Sequence, residues 1–143
     1  MKTNHIIISL LGMGLTSGVA SAETYIPITT DNTALVLKVA DNGRVYQQYF
    51  GKKLADEAEY AKAPTGAEVY ITHGMEDYYE PALHINHADG NPSTLLTYSG
   101  IENLTLPDGG KRTIIKLSDP VYKDMVRLNY IVYPEHDIYK TYA

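Results

Sequence analysis

Short runs in which apolar and polar residues alternate cover most of the chain, and turn-forming residues separate them. Thr33–Ala40 and Lys111–Ser118 show this pattern most clearly. A period of two places the apolar side chains of a strand on one face of a sheet. About nine such strands, at intervals of roughly 8–12 residues, predict an all-β fold, namely an antiparallel β-sandwich. No alternation with helical segments, which would indicate a parallel sheet, is visible.

Two turn sequences indicate β-hairpins. Asp41-Asn42-Gly43 follows the predicted strand Thr33–Ala40. Ala88-Asp89-Gly90-Asn91 separates two further alternating segments, Ala82–His87 and Ser93–Ser99. Asp, Asn and Gly tolerate the positive φ angles that tight hairpin turns require. We therefore expect a strand on each side of both turns.

The region between these hairpins is less regular. Residues 52–66 are rich in Ala and Glu, but their apolar stripe is thin, which predicts one or two helical turns on a surface loop. Ala67–Thr72 is expected to form a short strand. Gly74–Ala82 is expected to form an irregular loop, because Pro81 near its end cannot donate a hydrogen bond to a strand ladder.

The first 22 residues resemble a secretory signal peptide. Lys2 precedes a short apolar run, and Ala20-Ser21-Ala22 has the small-x-small pattern of a cleavage site before Glu23. The run is too short to span a bilayer as a helix. We therefore expect export, cleavage between Ala22 and Glu23, and a periplasmic or secreted domain formed by residues 23–143.

The final alternating segment reaches Ala143 without a turn or a polar tail. We interpret the chain as the N-terminal piece of a longer protein, truncated within its sandwich.

Composition restricts the possible functions. The formal net charge is −5 and the sequence contains no basic cluster, which argues against nucleic acid and anionic membrane as partners. The chain contains no Cys, so disulfides and Cys-ligated metals are excluded. It has 13 Tyr and no Trp, a composition that fits Tyr in strands better than a sugar-stacking surface.

Candidate chemistry is sparse. His84 and His87 are close in sequence, but in a strand they would point to opposite faces, so we expect no metal site. Glu76, Asp77 and Glu80 lie in a loop that could line a cleft, although their spacing does not assign an acid and a nucleophile. No Gly-x-Ser-x-Gly, phosphate-binding or dinucleotide motif is present, and we expect no cofactor.

Several motifs, in order, resemble the N-terminal β-sandwich domain of α-galactosidases of glycoside hydrolase family 36. Residues 43–52 match a Gly-x-Leu/Val-x-x-x-Tyr-Phe/Trp-Gly-Lys pattern, and residues 74–82 match Gly-x-x-Asp-Phe/Tyr-Arg-x-Pro-Ala without a gap. Tyr79 stands where the family usually has Arg, so any role of that Arg does not carry over. Further similar segments are Leu96-Thr97-Tyr98, residues 113–119, residues 126–130 and Asp137-Ile138.

The resemblance implies a supersandwich of the galactose-mutarotase type. It also implies that a following (β/α)₈ barrel, absent here, carries the two catalytic Asp residues of a retaining glycosidase that removes terminal α-galactose from oligosaccharides. This chain then has no catalytic residue and is inactive alone. Possible homo-oligomer contacts and a cleft-rim role for the loop follow from the same resemblance. The candidate rim residues are Asp77, Tyr78, Tyr79 and Glu80.

Two other interpretations stay open. One is a free-standing carbohydrate-binding module and the other is a structural β-sandwich of the periplasm. A binding module would be expected to expose aromatic residues on one face, and the absence of Trp does not favour it. The resemblance does not distinguish galactosides from N-acetylgalactosaminides.

Overall fold

The protein, seen here as a computed structural model, is described at residues 23–75 and 79–143. These residues form two antiparallel sheets, which confirms the predicted all-β sandwich. The first sheet has the strand order β1-β2-β3 and the second has the order β4-β5-β6-β7. The seven strands are Thr24–Thr29, Thr33–Val39, Val45–Lys52, Thr97–Thr105, Lys111–Ser118, Met125–Tyr133 and Ile138–Tyr142, labelled β1 to β7 in that order.

The core lies between the two sheets. Leu37 of β2 and Ile115 of β5 are fully buried there, and Tyr130 of β6 is so enclosed that burial raises its pKa to about 12. The alternation of side chains along each strand places these residues on inner faces. The buried inner-face cluster comprises Ile26, Ile28, Leu35, Leu37, Val45, Leu96, Ile115, Leu117, Leu128, Tyr130 and Val132.

The outer face of the three-stranded sheet is also covered. A 3₁₀-helix at Glu57–Lys62, capped by the Asp56 carboxylate, places Tyr60 against Ala34 and Val36 of β2. This agrees with the expectation of a helical turn or two between residues 52 and 66. A single buried side chain anchors the segment, which explains why its apolar stripe in the sequence is thin.

Seven strands are fewer than the nine or so expected, because two predicted strands do not form regular ladders. Residues 67–69 hydrogen-bond along β3, with Gln47 N to Ala67 O at 2.9 Å, but Glu68 makes only an isolated bridge. In the predicted hairpin, the turn forms, with Gly90 at φ +87°. Its flanks do not pair with each other: Ala82 N donates to Ile71 O and Thr94 N donates to His73 O.

A polar contact joins the sheets at one end. Thr30, in the turn after β1, donates from Oγ1 to Asp137 Oδ1 at 2.5 Å, and Asn32 Nδ2 donates to Asp137 Oδ2 at 2.8 Å. The hydrogen bonds from Thr30 and Asn32 lower the pKa of Asp137. We call this contact between the β1–β2 turn and the β6–β7 turn the Asp137 latch.

The predicted signal peptide, residues 1–22, lies outside the described residues. Among the residues that are described, no helix has the length and apolar character needed to cross a bilayer.

Candidate functional site

Four connecting segments meet at one end of the sandwich: residues 41–44, 73–75, 87–95 and 119–124. Backbone hydrogen bonds join them to one another and to the sheets. Thr94 N donates to His73 O at 3.1 Å, and Tyr98 N donates to Gly43 O at 2.8 Å. The loop that the sequence indicated as a cleft rim therefore begins within a dense cluster of loops.

One groove, of about 470 Å³, is lined by residues of both sheets. A second groove, of about 460 Å³, opens among the four connecting segments. We call the second one the loop-end groove. Its walls mix polar side chains with the exposed apolar side chain of Val121. The residues that line it are Asn42, Arg44, Gly74, Met75, Asn91, Ser93, Thr94, Leu95, Asp119, Pro120, Val121 and Tyr122.

Gly74 fixes the start of the candidate rim loop. Its φ is +87°, which L-residues with a side chain rarely adopt. An added Cβ would lie 2.5 Å from Ser93 Cβ and 2.8 Å from Ser93 Cα. The loop after Gly74 is therefore packed directly against residues 91–95, and only glycine permits this close approach.

Two of the four candidate rim residues can be located. Tyr79 is 70% exposed, and Glu80 is also exposed. Asp77 and Tyr78 lie outside the described residues. The structure therefore places an aromatic ring and a carboxylate at the surface in the loop that starts at Gly74, and it does not bring either into contact with a catalytic partner among the described residues.

Asp119 holds two of the loops together. It is buried, and its carboxylate accepts backbone hydrogen bonds from Leu95 at 2.8 Å, Val121 at 2.7 Å and Tyr122 at 2.9 Å. Burial opposes ionisation, but these three N–H donors outweigh it, and the pKa of Asp119 is lowered from its ordinary value. Asp119 therefore acts as a structural anion at the base of the loop-end groove.

This anion makes stability depend on pH. Because its pKa is lower in the folded state, the contribution of Asp119 is complete above the unfolded pKa of about 3.9 and is lost as pH falls through the folded pKa. We expect Asp119→Asn to reduce the free energy of unfolding by about 1–2 kcal/mol at pH 7, because an amide cannot accept all three bonds. Urea unfolding at pH 7 and at pH 3 measures the effect.

At pH 3 the free energies of unfolding of the Asp119→Asn variant and of the natural sequence should differ by less than they do at pH 7. Asp31→Asn is the matched control, since Asp31 is exposed and should change stability by less than about 0.5 kcal/mol. If the difference in free energy of unfolding between variant and natural sequence is the same at pH 7 and pH 3, the ionised Asp119 carboxylate has no structural role.

An aromatic stack completes the wall. The rings of His87 and Tyr122 lie 3.5 Å apart and nearly parallel, at 6°. His87 Nε2 also lies within hydrogen-bond distance of Thr94 Oγ1, at 3.1 Å. The Tyr122 hydroxyl donates to Asp89 Oδ2 at 2.9 Å. Ring stacking and these polar contacts therefore hold residues 87–94 against Tyr122.

The histidines that are close in sequence have separate surroundings. His84 stacks on His73 with centroids 4.3 Å apart, whereas His87 stacks on Tyr122. Residues 23–75 and 79–143 contain no group of three or more His, Asp or Glu side chains placed to hold a metal ion.

The described residues of the site form a shaped polar surface. Asp119 is engaged by three backbone donors, and Asp89 is held by Asn91 N–H and the Tyr122 hydroxyl, which lower its pKa. Both carboxylates are engaged by hydrogen bonds within the fold, whereas glycoside hydrolysis uses two carboxyl groups that flank the scissile bond. The described part of the loop-end groove can position a neighbouring molecule or domain.

Sequence reasoning did not identify Asp119 or Arg44. Asp119 directly follows β5 and precedes Pro120, a pattern in which the carboxylate often binds the backbone two residues later, so a local signal existed. Arg44 donates through its guanidinium to both carboxylate oxygens of Glu68, which is 24 residues away. No local pattern connects those two positions.

The chain was compared with protein families and with curated protein sequences. Residues 43–143 match the family described as the glycosyl hydrolase family 36 N-terminal domain. No curated protein sequence is significantly similar to the chain.

Among solved structures, the α-galactosidase from Lactobacillus brevis aligns with a TM-score of 0.70 and 21% identity, over 87% of this chain and 22% of its own. The GH36 α-galactosidase from Geobacillus stearothermophilus in complex with raffinose aligns with a TM-score of 0.70 and 15% identity, over 82% of this chain and 21% of its own. The same enzyme in complex with stachyose gives a TM-score of 0.69 and 16% identity, with the same coverage. This similarity establishes the fold, and the chain spans about a fifth of the length of these enzymes.

Proposed function

Because this chain belongs to the glycosyl hydrolase family 36 N-terminal domain family, we propose that it is the front, non-catalytic part of an exported α-galactosidase. In this proposal a following catalytic domain performs retaining hydrolysis of terminal α-galactose, using two carboxylates that this chain does not supply. The substrates are α-galactoside oligosaccharides, a class represented by the raffinose and stachyose bound to the Geobacillus stearothermophilus enzyme. The observation that carries the proposal is the family match over residues 43–143.

The groove between the sheets is a second reason to propose that the natural polypeptide is longer. It has a volume of about 470 Å³ and is lined by core residues of both sheets, including Leu35 and Tyr130. Residues 67–70 and 141–143 also line it. Apolar inner faces are normally covered by further strands or by another domain, because burial of apolar surface is the main favourable term in folding. We infer that additional segments of the parent enzyme cover this opening.

We also propose that the loop starting at Gly74 forms part of the rim of the sugar-binding cleft. The exposed Tyr79 ring can stack on a sugar or on the catalytic domain, and exposed Glu80 can accept hydrogen bonds from hydroxyl groups. Asp77 and Tyr78 belong to the same proposal. Export to the periplasm or outside the cell, after cleavage between Ala22 and Glu23, completes the proposed role, with homo-oligomer contacts as a further possibility of the parent enzyme.

The experiment compares two proteins on raffinose and on a chromogenic α-galactoside. The 143-residue chain alone is expected to give no turnover above background, because in this proposal both catalytic carboxylates belong to the following domain. The native polypeptide that contains this sequence, captured with an antibody against residues 23–143, is expected to be several times longer and active. Activity that remains with the isolated chain, or a native polypeptide of this length without activity, would contradict the proposal.

In the same assay, Tyr79→Ala in the native polypeptide tests the rim. We expect a higher KM for raffinose with an unchanged kcat, because a rim contact contributes to binding rather than to the reaction itself. Tyr46→Ala, on β3, is the control and should leave KM unchanged. An unchanged KM for Tyr79→Ala would remove this residue from the rim.

A further inference from the structure

The outer face of the four-stranded sheet collects cations that are scattered in the sequence. In the strand register Lys116 of β5 lies beside Arg127 of β6, and Arg112 lies beside Ile131, which in turn pairs with Lys140 of β7. Alternation along the strands places these positions opposite the core residues Ile115, Leu128 and Tyr130. We call the surface formed by Arg112, Lys116, Arg127 and Lys140 the basic sheet face.

This face has a charge opposite to that of the whole chain. Among the described residues, Glu102 of β4, which is in register with Ile114 of β5, lies on this face and forms an ion pair with Lys116 at 3.0 Å. Asp108, in the turn between β4 and β5, accepts a hydrogen bond from the Tyr133 hydroxyl at 3.0 Å, so the four cations outnumber these two carboxylates. Arg127 and Lys140 form no ion pair with any carboxylate of the described residues. The face therefore carries a net positive charge, whereas the formal charge of the chain is −5. Such a separation of charge steers an acidic partner to one side of the molecule.

Apolar and aromatic side chains lie among the cations. Ile138 is 52% exposed, Tyr142 is 44% exposed and Leu104 is 41% exposed. The guanidinium of Arg112 lies 5.8 Å from the centre of the Tyr142 ring, and Lys140 Nζ lies 5.9 Å from it. Arg112 also donates two hydrogen bonds to Asn129 Oδ1, so its side chain is held in place.

This combination favours a protein partner. Aromatic and Arg side chains are enriched at the centres of protein–protein interfaces, where a complementary surface desolvates them. A polyanion such as a sulfated polysaccharide would engage the cations but would leave Leu104 and Ile138 in water. The corresponding outer face of the three-stranded sheet is already covered, since Tyr60 packs on Ala34 and Val36.

We propose that the basic sheet face docks an acidic surface of another folded protein domain, with carboxylates of the partner meeting Arg127 and Lys140 and an apolar side chain meeting Ile138 and Tyr142. The proposal goes beyond the glycosidase assignment and does not depend on it, because it rests on the register, charge and exposure of this sheet alone.

The test uses the full 143-residue chain and two probes of similar length, poly-glutamate and a random glutamate–tyrosine copolymer, with binding measured by fluorescence anisotropy at low and physiological ionic strength. The copolymer is expected to bind more tightly than poly-glutamate, because it supplies both carboxylates and apolar groups. The double variant Arg127→Glu/Lys140→Glu is expected to weaken copolymer binding by about tenfold or more, since attraction becomes repulsion at two positions. Ile138→Ser is expected to remove most of the preference for the copolymer over poly-glutamate.

The matched control is Lys52→Glu/Lys62→Glu, which changes the net charge equally at two exposed positions outside the four-stranded sheet. It should bind the copolymer within about twofold of the natural chain. Equal weakening by both double variants would overturn the proposal, because the binding would then depend on net charge alone. Circular dichroism checks that each variant is folded. If the Arg127→Glu/Lys140→Glu chain does not fold, amide chemical-shift changes in the natural chain decide the question: changes confined to β4–β7 support the proposal, and changes elsewhere overturn it.

Two further outcomes would also overturn it. Tighter binding of heparin than of the glutamate–tyrosine copolymer would assign the face to sulfated polysaccharides. A concentration-dependent dimer in sedimentation that disappears on Arg127→Glu/Lys140→Glu would assign it to a second copy of the chain.

Discussion

Leu37→Ala is expected to lower the free energy of unfolding by about 2–5 kcal/mol, a large fraction of the total stability of a small domain. Leu37 is 0% exposed and lies between the sheets, in contact with the inner-face cluster. The truncation removes buried apolar surface and leaves a cavity that strands on both sides of the core cannot easily close. Urea unfolding followed by circular dichroism gives the midpoint and slope needed for the comparison.

Leu104→Ala is the matched control for this prediction. The same chemical change is made in β4, where Leu104 is 41% exposed on the outer face, and the loss should be less than about 1 kcal/mol. Equal losses at positions 37 and 104 would show that the space between the sheets is not the core on which stability depends.

The second large effect is expected at Gly74, where Gly74→Ala should destabilise the chain by about 2–4 kcal/mol. Two causes add: an L-residue is strained at φ +87°, and the new Cβ would approach Ser93 Cβ to 2.5 Å and Ser93 Cα to 2.8 Å. Because a backbone atom is among the clashing atoms, the candidate rim loop or residues 91–95 must move. Thermal unfolding measures the loss.

Gly90→Ala separates the two causes. Gly90 has the same φ of +87°, but no atom lies within 4 Å of the added Cβ. It should therefore cost only the backbone strain, about 1–2 kcal/mol. If Gly74→Ala is no more harmful than Gly90→Ala, the close approach of the loop to Ser93 is not a feature of the folded protein in solution.

The parts of the fold that were predictable from sequence are those with local causes. The hairpin at Asp41-Asn42-Gly43 formed as expected, with Gly43 at φ +78° and Gly43 N bonded to Ala40 O at 2.8 Å. The resemblance to the family 36 domain is confirmed by the match over residues 43–143. The turn depends on adjacent residues, and the resemblance depends on short motifs and on their order along the chain.

The predictions that were wrong concern residues with distant partners. Ala82–His87 and Ser93–Ser99 alternate like hairpin strands, but of these residues only 97–99 belong to a strand, β4. Ala82 N bonds to Ile71 O, and Leu95 N bonds to Asp119 Oδ2. Pro92 and the side chains of Asp89 and Asn91, which bond to backbone N–H groups two residues later, compete with a regular ladder. Tertiary hydrogen bonds thus replaced the local pairing that the alternation indicated.

The candidate site was only partly predictable for the same reason. The loop after Gly74 was located from its motif, but the loop-end groove also needs residues 42–44, 91–95 and 119–122, which come together only in the folded sandwich. The basic sheet face was not visible either, because Lys116 and Arg127 become neighbours through the pairing of β5 with β6. Sequence inspection therefore found no basic cluster where the fold creates one.

The Asp137 latch has a consequence for how the chain folds. In each sheet every strand pairs with the strand next to it in sequence, so both sheets can grow by successive hairpins, which are fast local steps. The bond from Thr30 to Asp137 instead closes a loop of 107 residues, and a contact of such high sequence separation carries a large entropic cost before it forms. The latch is therefore expected to form late in folding, after the two sheets have come together. Removing it should increase the rate of unfolding more than it decreases the rate of folding.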